Sequence, residues 1–100
     1  MKTEGSIRMD YSAMLRKASS LEDLAEQLLK AADSVDRLRG GAASAWTGKA
    51  STEYCKKLSK ERDLIRRRAK QLSQGAEGVR KAAKRIYDAE MYALSLFGRR

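Results

Sequence analysis

The side chains that could carry chemistry in this sequence are few, and they favour binding over catalysis. There is no histidine, and the single cysteine, Cys55, has no neighbouring base that would activate its thiol. No pair of carboxylates has a spacing suited to acid–base catalysis, and no cluster has the spacing of metal ligands. The glycines lack the lysine and hydroxyl pattern of a phosphate-binding loop. We therefore expect no enzymatic activity, no catalytic residues, no cofactor and no metal.

The charged side chains are distributed unevenly along the sequence. Residues 1–48 hold seven basic and seven acidic side chains, whereas residues 49–100 hold fifteen basic and six acidic ones, so the net charge of +9 lies in the second half. The densest cluster, called the basic surface below, consists of Arg62, Arg66, Arg67, Arg68 and Lys70. A second cluster consists of Arg80, Lys81, Lys84 and Arg85. Such cations form either an ordinary solvated helix face or a docking surface for an acidic partner.

Nucleic acid is the competing partner for a strongly basic chain, because Lys and Arg side chains neutralise phosphates. The basic residues are not interleaved with aromatic side chains on which bases would stack, and no motif that reads nucleic acid is present. A helix lying on a membrane would need bulky apolar residues opposite its cations, and those residues are already required for helix packing. We therefore expect a protein partner and keep nucleic-acid binding as the alternative function.

Helices must position these side chains, because the chain has no proline and is rich in residues that favour helix. Apolar residues recur every seven positions in both halves, which is typical of long amphipathic helices. The two rows are Met14, Leu21, Leu28, Val35 and Ala42, and then Leu58, Ile65, Leu72, Val79, Ile86 and Ala93. The pattern predicts one all-α domain over residues 1–100. Helix one is expected over about 10–45, with Asp10 as its N-cap, and helix two over about 50–97.

The reversal between the two helices has two candidate positions. Gly40-Gly41 is the stronger helix breaker by composition. The heptad phase nevertheless continues from Val35 to Ala42, so we place the turn at residues 46–49 and treat the glycine pair as a closely packed stretch of helix one. At Gly48 a glycine permits a tight turn or a positive φ. The short connection predicts an antiparallel helix-turn-helix hairpin.

A single hairpin of two amphipathic helices leaves much of its apolar surface in water. The usual solution is to pair two hairpins into a four-helix bundle, whose helices cross at about 20°. We therefore expect a homodimer, or a heterodimer with a similar hairpin. The predicted dimer seam consists of Leu21, Leu28, Val35, Leu58, Ile65, Leu72 and Val79.

The predicted turn carries a short motif, Trp46-Thr47-Gly48, with an aromatic residue, Tyr54, eight positions beyond the tryptophan. In this arrangement the chain resembles the WXG (Trp-x-Gly) superfamily, the small ESAT-like proteins of type VII (ESX or Ess) secretion. The resemblance implies a hairpin that dimerises, is exported folded and is recognised by a membrane-bound secretion ATPase. Trp46 and Gly48 would then form the turn and export motif. For Trp46 the alternative is a wedge between the helices that stiffens the turn, and both roles are compatible.

The end of the sequence departs from that superfamily. Members that carry their own export signal have Tyr-x-x-x-Asp/Glu just after the second helix. Here Tyr87 is followed four residues later by Met91, and only Ile86 with Glu90 keeps the acidic end of the motif. We take Ile86, Tyr87 and Glu90 as the candidate C-terminal signal. The departure leaves open whether the protein is cargo or the targeting and chaperone partner of a larger WXG or LXG effector.

The route of export follows from two expected absences. The first ten residues contain no apolar run resembling a signal peptide, and no stretch is long and apolar enough for a membrane span. We therefore expect the chain to be made in the cytoplasm without a signal peptide and not to leave by the general secretory route. The resemblance to the WXG superfamily implies secretion by a type VII system instead.

Overall fold

Two long helices make up nearly all of the computed structural model, which describes residues 2–98. Helix α1 spans Glu4–Ala45 and helix α2 spans Lys49–Gly98, and these described residues contain no strand. The predicted all-α class is confirmed. The helices are joined by residues 46–48, so α2 begins within the segment that was predicted as the turn.

Helix α1 begins at Glu4, six residues before the start predicted at Asp10. Thr3 acts as the cap, because the N–H of Ser6 donates to Thr3 Oγ1 at 3.1 Å and the N–H of Ile7 donates to the Thr3 carbonyl at 3.0 Å. Glu4 lies in the first turn, where a negative charge interacts favourably with the helix dipole. The side chain of Ile7 is buried, so packing also holds this early turn in place.

The chain divides into two compact units, each formed by one segment of α1 and one of α2. Unit 1 comprises Met1–Glu22 with Ser73–Arg100, and unit 2 comprises Asp23–Leu72. Within each unit, the residue number on α2 falls as the number on α1 rises, so the two segments are antiparallel. The contacts that show this are Asp33–Arg66 and Asp36–Arg62 in unit 2, and Tyr11–Tyr87 and Glu22–Arg80 in unit 1.

Small side chains fill the seam between the two helical segments of each unit. Among the described residues, the buried apolar side chains are those of Ile7 and six alanines, which recur every seven residues along a helix. The alanines are Ala18, Ala76 and Ala83 in unit 1, and Ala25, Ala32 and Ala69 in unit 2. Alanine lets two helix axes approach closely, because the distance between packed helices depends on the side chains at the contact.

The residues predicted as the dimer seam lie beside these alanines. All seven are half-buried: Leu21, Leu28, Val35, Leu58, Ile65, Leu72 and Val79. Each therefore contributes part of its surface to packing within its own unit and leaves the rest in solvent.

The backbone of the turn has the positive φ that a glycine at position 48 predicts. Gly48 has a φ of 101°, a left-handed conformation that glycine adopts without steric cost. The N–H of Trp46 donates to the Ala42 carbonyl at 2.9 Å, and Ser51 Oγ donates to the Trp46 carbonyl at 3.2 Å. These bonds join the end of α1 to the first turn of α2.

Gly40 and Gly41 continue α1, as the heptad phase predicts, but the close packing expected there is wrong. A Cβ atom added at either position would meet nothing within 4 Å in the described structure. The reason is that both glycines lie on exposed parts of the helix surface, away from the alanine seam. They therefore weaken α1 without allowing any closer contact inside the hairpin.

We expect opposite effects from alanine at these glycines. Gly40→Ala and Gly41→Ala should each raise the free energy of unfolding by about 0.5–1 kcal/mol, because alanine is the better helix former and has free space. Gly48→Ala should lower it by about 1–2 kcal/mol, because a Cβ is strained at positive φ. Urea denaturation followed by circular dichroism measures both. A loss of stability with Gly40→Ala would mean that this helix surface is covered in solution.

Candidate functional site

The turn presents an aromatic pair. The ring of Trp46 is 54% exposed and meets Tyr54 edge-on, with ring centroids 5.7 Å apart and an interplanar angle of 83°. The structure thus brings together the two aromatic residues that the sequence placed eight positions apart. Trp46 is held by one ring contact and by its backbone, and it leaves much of its apolar face available to a partner.

A row of apolar side chains remains exposed on α1 in unit 2. Leu24 and Leu38 are 46% and 54% exposed, with Ala31 between them at heptad spacing. This row is one position, or about 100° of helix rotation, from the buried Ala25 and Ala32. It therefore adjoins the half-buried edge of the seam and widens the apolar stripe on that side. Solvent-exposed leucines in such a row are typical of a surface that packs against another helix.

A comparable row lies on α2 in unit 1. Val79, Ala82, Ile86 and Ala93 follow the same spacing of three, four and seven residues, and the side chain of Ile86 is exposed. Because alanine side chains are small, a helix of a partner could pack closely against this row. Each unit thus carries one helix segment with an apolar surface that its own antiparallel neighbour does not cover.

Arg62 differs from the other members of the basic surface. Its side chain is only 19% exposed and forms ion pairs with Asp36, across the hairpin, and with Asp63 at 3.1 Å. Arg39 joins the same cluster, because its guanidinium lies 3.1 Å from Asp36. Arg62 is therefore occupied by contacts within unit 2 and contributes little to a surface for a partner.

The other four cations of the basic surface are exposed. Arg66 lies 3.9 Å from Asp33, a distance at which the ion pair is weak. Arg67, Arg68 and Lys70 pair with no acid among the described residues. Of the predicted basic surface, Arg66, Arg67, Arg68 and Lys70 therefore remain exposed to a partner.

Two interhelix ion pairs alter the titration of their carboxylates. The Arg62 guanidinium, and then that of Arg39, lower the pKa of Asp36. In unit 1, Arg80 lowers the pKa of Glu22 and also donates to Ser19 Oγ at 3.1 Å. Both carboxylates are therefore stabilised as anions by the folded structure.

The three residues of the candidate C-terminal signal do not share one accessible surface. Tyr87 packs against Tyr11 with ring centroids 4.7 Å apart, and Glu90 accepts a hydrogen bond from Lys2 at 3.1 Å. Only Ile86 is exposed. All three lie inside α2. Tyr87 is engaged by Tyr11 of α1, and Glu90 by Lys2, which precedes α1.

The heptad pattern contained a signal for some of these contacts. Arg62 and Glu90 are the positions at which charged residues interrupt the row of small residues on helix two. A charge in a seam requires an opposite charge within reach, and the structure supplies Asp36 on α1 and Lys2 just before α1. The sequence alone could not choose these partners, because several acidic and basic residues on α1 were available.

Over residues 2–98, no group of three or more His, Cys, Asp or Glu residues is placed to hold a metal ion. In the same range, neither helix combines the length and the apolar character needed to cross a membrane.

The chain matches the PPE family over residues 7–94, which covers most of both helices and the turn between them. The protein therefore belongs to the PPE family. PPE proteins are mycobacterial proteins secreted by type VII systems, and they are related to the superfamily of WXG helical hairpins. This membership associates the chain with type VII secretion. Comparison with curated proteins and with solved structures gave no match.

The ion pairs predict how stability depends on pH. The folded-state pKa values of Asp36 and Glu22 lie below the ordinary values of 3.8 and 4.5. Their contribution to stability is therefore fully present above the unfolded pKa and is lost as pH falls through the folded pKa. We expect the free energy of unfolding, measured in urea, to fall from about pH 5 downwards and to fall less steeply in the variant Asp36→Asn with Glu22→Gln.

The matched control for this prediction is Asp23→Asn with Glu53→Gln, which removes two carboxylates that form no ion pair among the described residues. This control should retain the acid dependence of the original chain. Parallel acid curves for the original chain and the variant of Asp36 and Glu22 would contradict the prediction.

Proposed function

We propose that the protein is a non-enzymatic component of type VII secretion that works as a helical hairpin paired with a similar hairpin. In this role it is either a secreted substrate or the targeting and chaperone partner of a larger WXG or LXG effector. The observation that carries the proposal is the apolar row that remains exposed on α1 beside an already packed alanine seam. Membership of the PPE family supports the association with secretion.

The exposed row indicates what kind of partner is needed. Leu24 and Leu38 are each about half exposed, and the half-buried Leu28 and Val35 continue the apolar stripe towards the seam. Burial of apolar surface contributes roughly 25 cal/mol for each Å² removed from water. Covering a straight row of this spacing requires another helix, and a second hairpin supplies two. The resulting four-helix bundle has a homodimer or a heterodimer as its smallest form.

The basic residues provide a separate contact. The side chains of Arg66, Arg67, Arg68 and Lys70 are exposed and largely without acidic partners. They can therefore attract an acidic surface on the partner hairpin or effector. Electrostatic attraction of this kind mainly increases the association rate and selects among partners. It complements the apolar row, which supplies the larger share of the binding free energy.

Trp46 and Gly48 form the proposed recognition element for the secretion machinery. Gly48 gives the turn its backbone, and that backbone presents Trp46 at the end of unit 2 with about half its surface in solvent. An exposed tryptophan is an efficient anchor for a protein interface. We assign this surface to the membrane-bound type VII ATPase that the WXG resemblance implies.

The contacts of Tyr87 and Glu90 support a role as targeting partner more than a role as a substrate that carries its own export signal. Tyr87 and Glu90 are engaged by Tyr11 and Lys2, so they do not present an aromatic and an acidic side chain together on the surface. A protein without an accessible signal of this kind requires one from the chain with which it pairs. The proposal therefore places the Tyr-x-x-x-Asp/Glu signal on the partner.

The pairing surface can be tested with one charge placed on the apolar row. Leu24→Asp should weaken association with the partner hairpin, or self-association, by about 3–5 kcal/mol, because an unpaired charge would be buried in the interface. The hairpin itself should keep its helix content, because Leu24 is already half exposed. Analytical ultracentrifugation measures self-association, and co-purification with a co-expressed WXG-type hairpin measures hetero-association.

Leu29→Asp is the matched control for this experiment. Leu29 is 47% exposed, almost the same as Leu24, but it lies about 140° away around the helix. Association should therefore survive this change. Equal loss with both variants would show that the apolar row is not the interface, and a stable monomer with no partner would refute the bundle.

The role of Trp46 is tested by secretion. Trp46→Ala should cost only about 1 kcal/mol of stability, because the ring has one aromatic contact and is half exposed. Pairing should persist while export of the protein, or of its bound effector, fails. Trp46→Phe is the control, since it keeps an aromatic anchor and should retain more export. Normal secretion with Trp46→Ala would refute the recognition role of the turn while leaving the pairing intact.

A further inference from the structure

A groove lies beside the turn, within unit 2. It has a volume of about 710 Å³ and is bounded by side chains that include Trp46, Thr52, Lys56 and Lys60. Its walls combine an aromatic ring, hydroxyl groups and two ammonium groups. The groove is separate from the exposed leucine row on α1 and from the basic surface at residues 66–70.

The first turns of α2 carry four lysines without an ion pair among the described residues, and three of them form a row with Lys57 beside it. Lys49, Lys56 and Lys60 are exposed, and none of them forms an ion pair with an acid among the described residues. Other lysines of the same helix differ, because Lys81 and Lys84 each pair with an acidic residue four positions away. Like charges four residues apart, as at Lys56 and Lys60, weaken a helix. The spacing of Lys56 and Lys60 therefore adds nothing to the stability of the hairpin.

The three lysines lie on one side of the helix. Separations of seven and four residues correspond to rotations of about −20° and +40°, so the side chains form a row about 16 Å long. Glu53 lies four residues after Lys49 on the same side of the helix, so the three lysines and this one acid leave a net charge of +2 (three minus one). A lysine ammonium is a hydrated point charge without the planar fork with which arginine matches one carboxylate or phosphate. Such a row is suited to a surface with many spread negative charges.

Trp46 lies at the end of this row that is nearest to the turn. Its ring is steadied by Tyr54 and its carbonyl accepts a hydrogen bond from Ser51, so about half of the indole is presented to solvent in a fixed position. Tryptophan and tyrosine are enriched where one part of the ring contacts hydrocarbon and the other contacts water.

We propose that the turn end of the protein docks on an anionic lipid surface. Lys49, Lys56 and Lys60 contact phosphate-bearing headgroups, and Trp46 enters the boundary between headgroups and acyl chains. Charge complementarity with a flat array of phosphates and an exposed tryptophan at the end of the row favour lipid over a shaped protein pocket. This docking uses the same Trp46 surface as the proposed contact with the secretion ATPase and adds lipid as its second ligand. It is measured on vesicles without any secretion assay, so failure of the lipid contact is distinguishable from failure of the secretion role.

The test uses the full chain and vesicles of two compositions, phosphatidylcholine alone and equal parts of phosphatidylcholine and phosphatidylglycerol. Trp46 is the single tryptophan of the sequence, so its fluorescence reports directly on the proposed contact. We expect flotation with the anionic vesicles only, a blue shift of the emission, and release at about 0.5 M salt, where charges are screened within a few Å.

The matched variants remove three charges each. Lys49→Gln, Lys56→Gln and Lys60→Gln together should weaken vesicle binding roughly a hundredfold, which corresponds to about a fivefold loss for each lysine. Arg67→Gln, Arg68→Gln and Lys70→Gln form the control, since they remove three exposed cations of the same unit away from the turn. The control should lose far less. Glutamine favours helix, and circular dichroism verifies that both variants are folded.

Several results would overturn the lipid proposal. These are equal binding to both kinds of vesicle, no binding to either, equal losses for the two triple variants, and an emission maximum that does not move with anionic vesicles. Duplex DNA is tested in parallel. Binding to DNA that depends on Lys49, Lys56 and Lys60, without binding to vesicles, would assign the row to nucleic-acid phosphates and would also overturn the proposal.

Discussion

Close packing of alanine between α1 and α2 is the constraint on which the rest of the structure depends. In each unit, the fully buried positions at heptad spacing hold alanine, so the two helical segments meet through their smallest apolar side chains. Larger residues such as Leu28 and Ile65 cannot lie in so narrow a seam and are left half-buried at its edges. The next row outwards, with Leu24 and Leu38, then remains in solvent. An exposed apolar surface is thus a direct consequence of a seam built from small residues.

Charged residues replace alanine at two places in this seam, and each has a partner of opposite charge on the other side of the hairpin. Arg62 meets Asp36, and Glu90 meets Lys2. Replacement of such a pair by apolar residues is often neutral or stabilising, whereas removal of one partner is costly. The pairs therefore select one alignment of the helices more than they add stability, since a shift by one heptad would leave a charge facing alanine.

Apolar and basic groups are separated on the surface of unit 2, and this separation shapes the functional interpretation. The leucine row adjoins the seam on α1, whereas the unpaired cations follow the outer part of α2 from Lys49 to Lys70. A hairpin with this distribution can hold a helical partner on one surface while its cations remain available to a second, negatively charged one.

The sequence by itself determined the helical class, the place of the turn and the need for a glycine at position 48. Absence of proline, heptad spacing and a Trp-Thr-Gly segment are local properties, and local properties decide where a helix continues and where it reverses. The start of α1 was predicted six residues late, because Thr3 and Asp10 are both acceptable caps and only the burial of Ile7 selects Thr3.

Only the tertiary structure decided which cations remain free. Arg62 is held in an ion pair whereas Arg67 is exposed, because an arginine is paired only where the facing helix brings an acid within reach. Packing likewise decided that Gly40 and Gly41 are open to solvent, and that Tyr87 and Glu90 are held by the opposite helix. These outcomes depend on contacts between residues that are far apart in the chain, and the heptad pattern contains no information on such pairings beyond the helix face on which each residue lies.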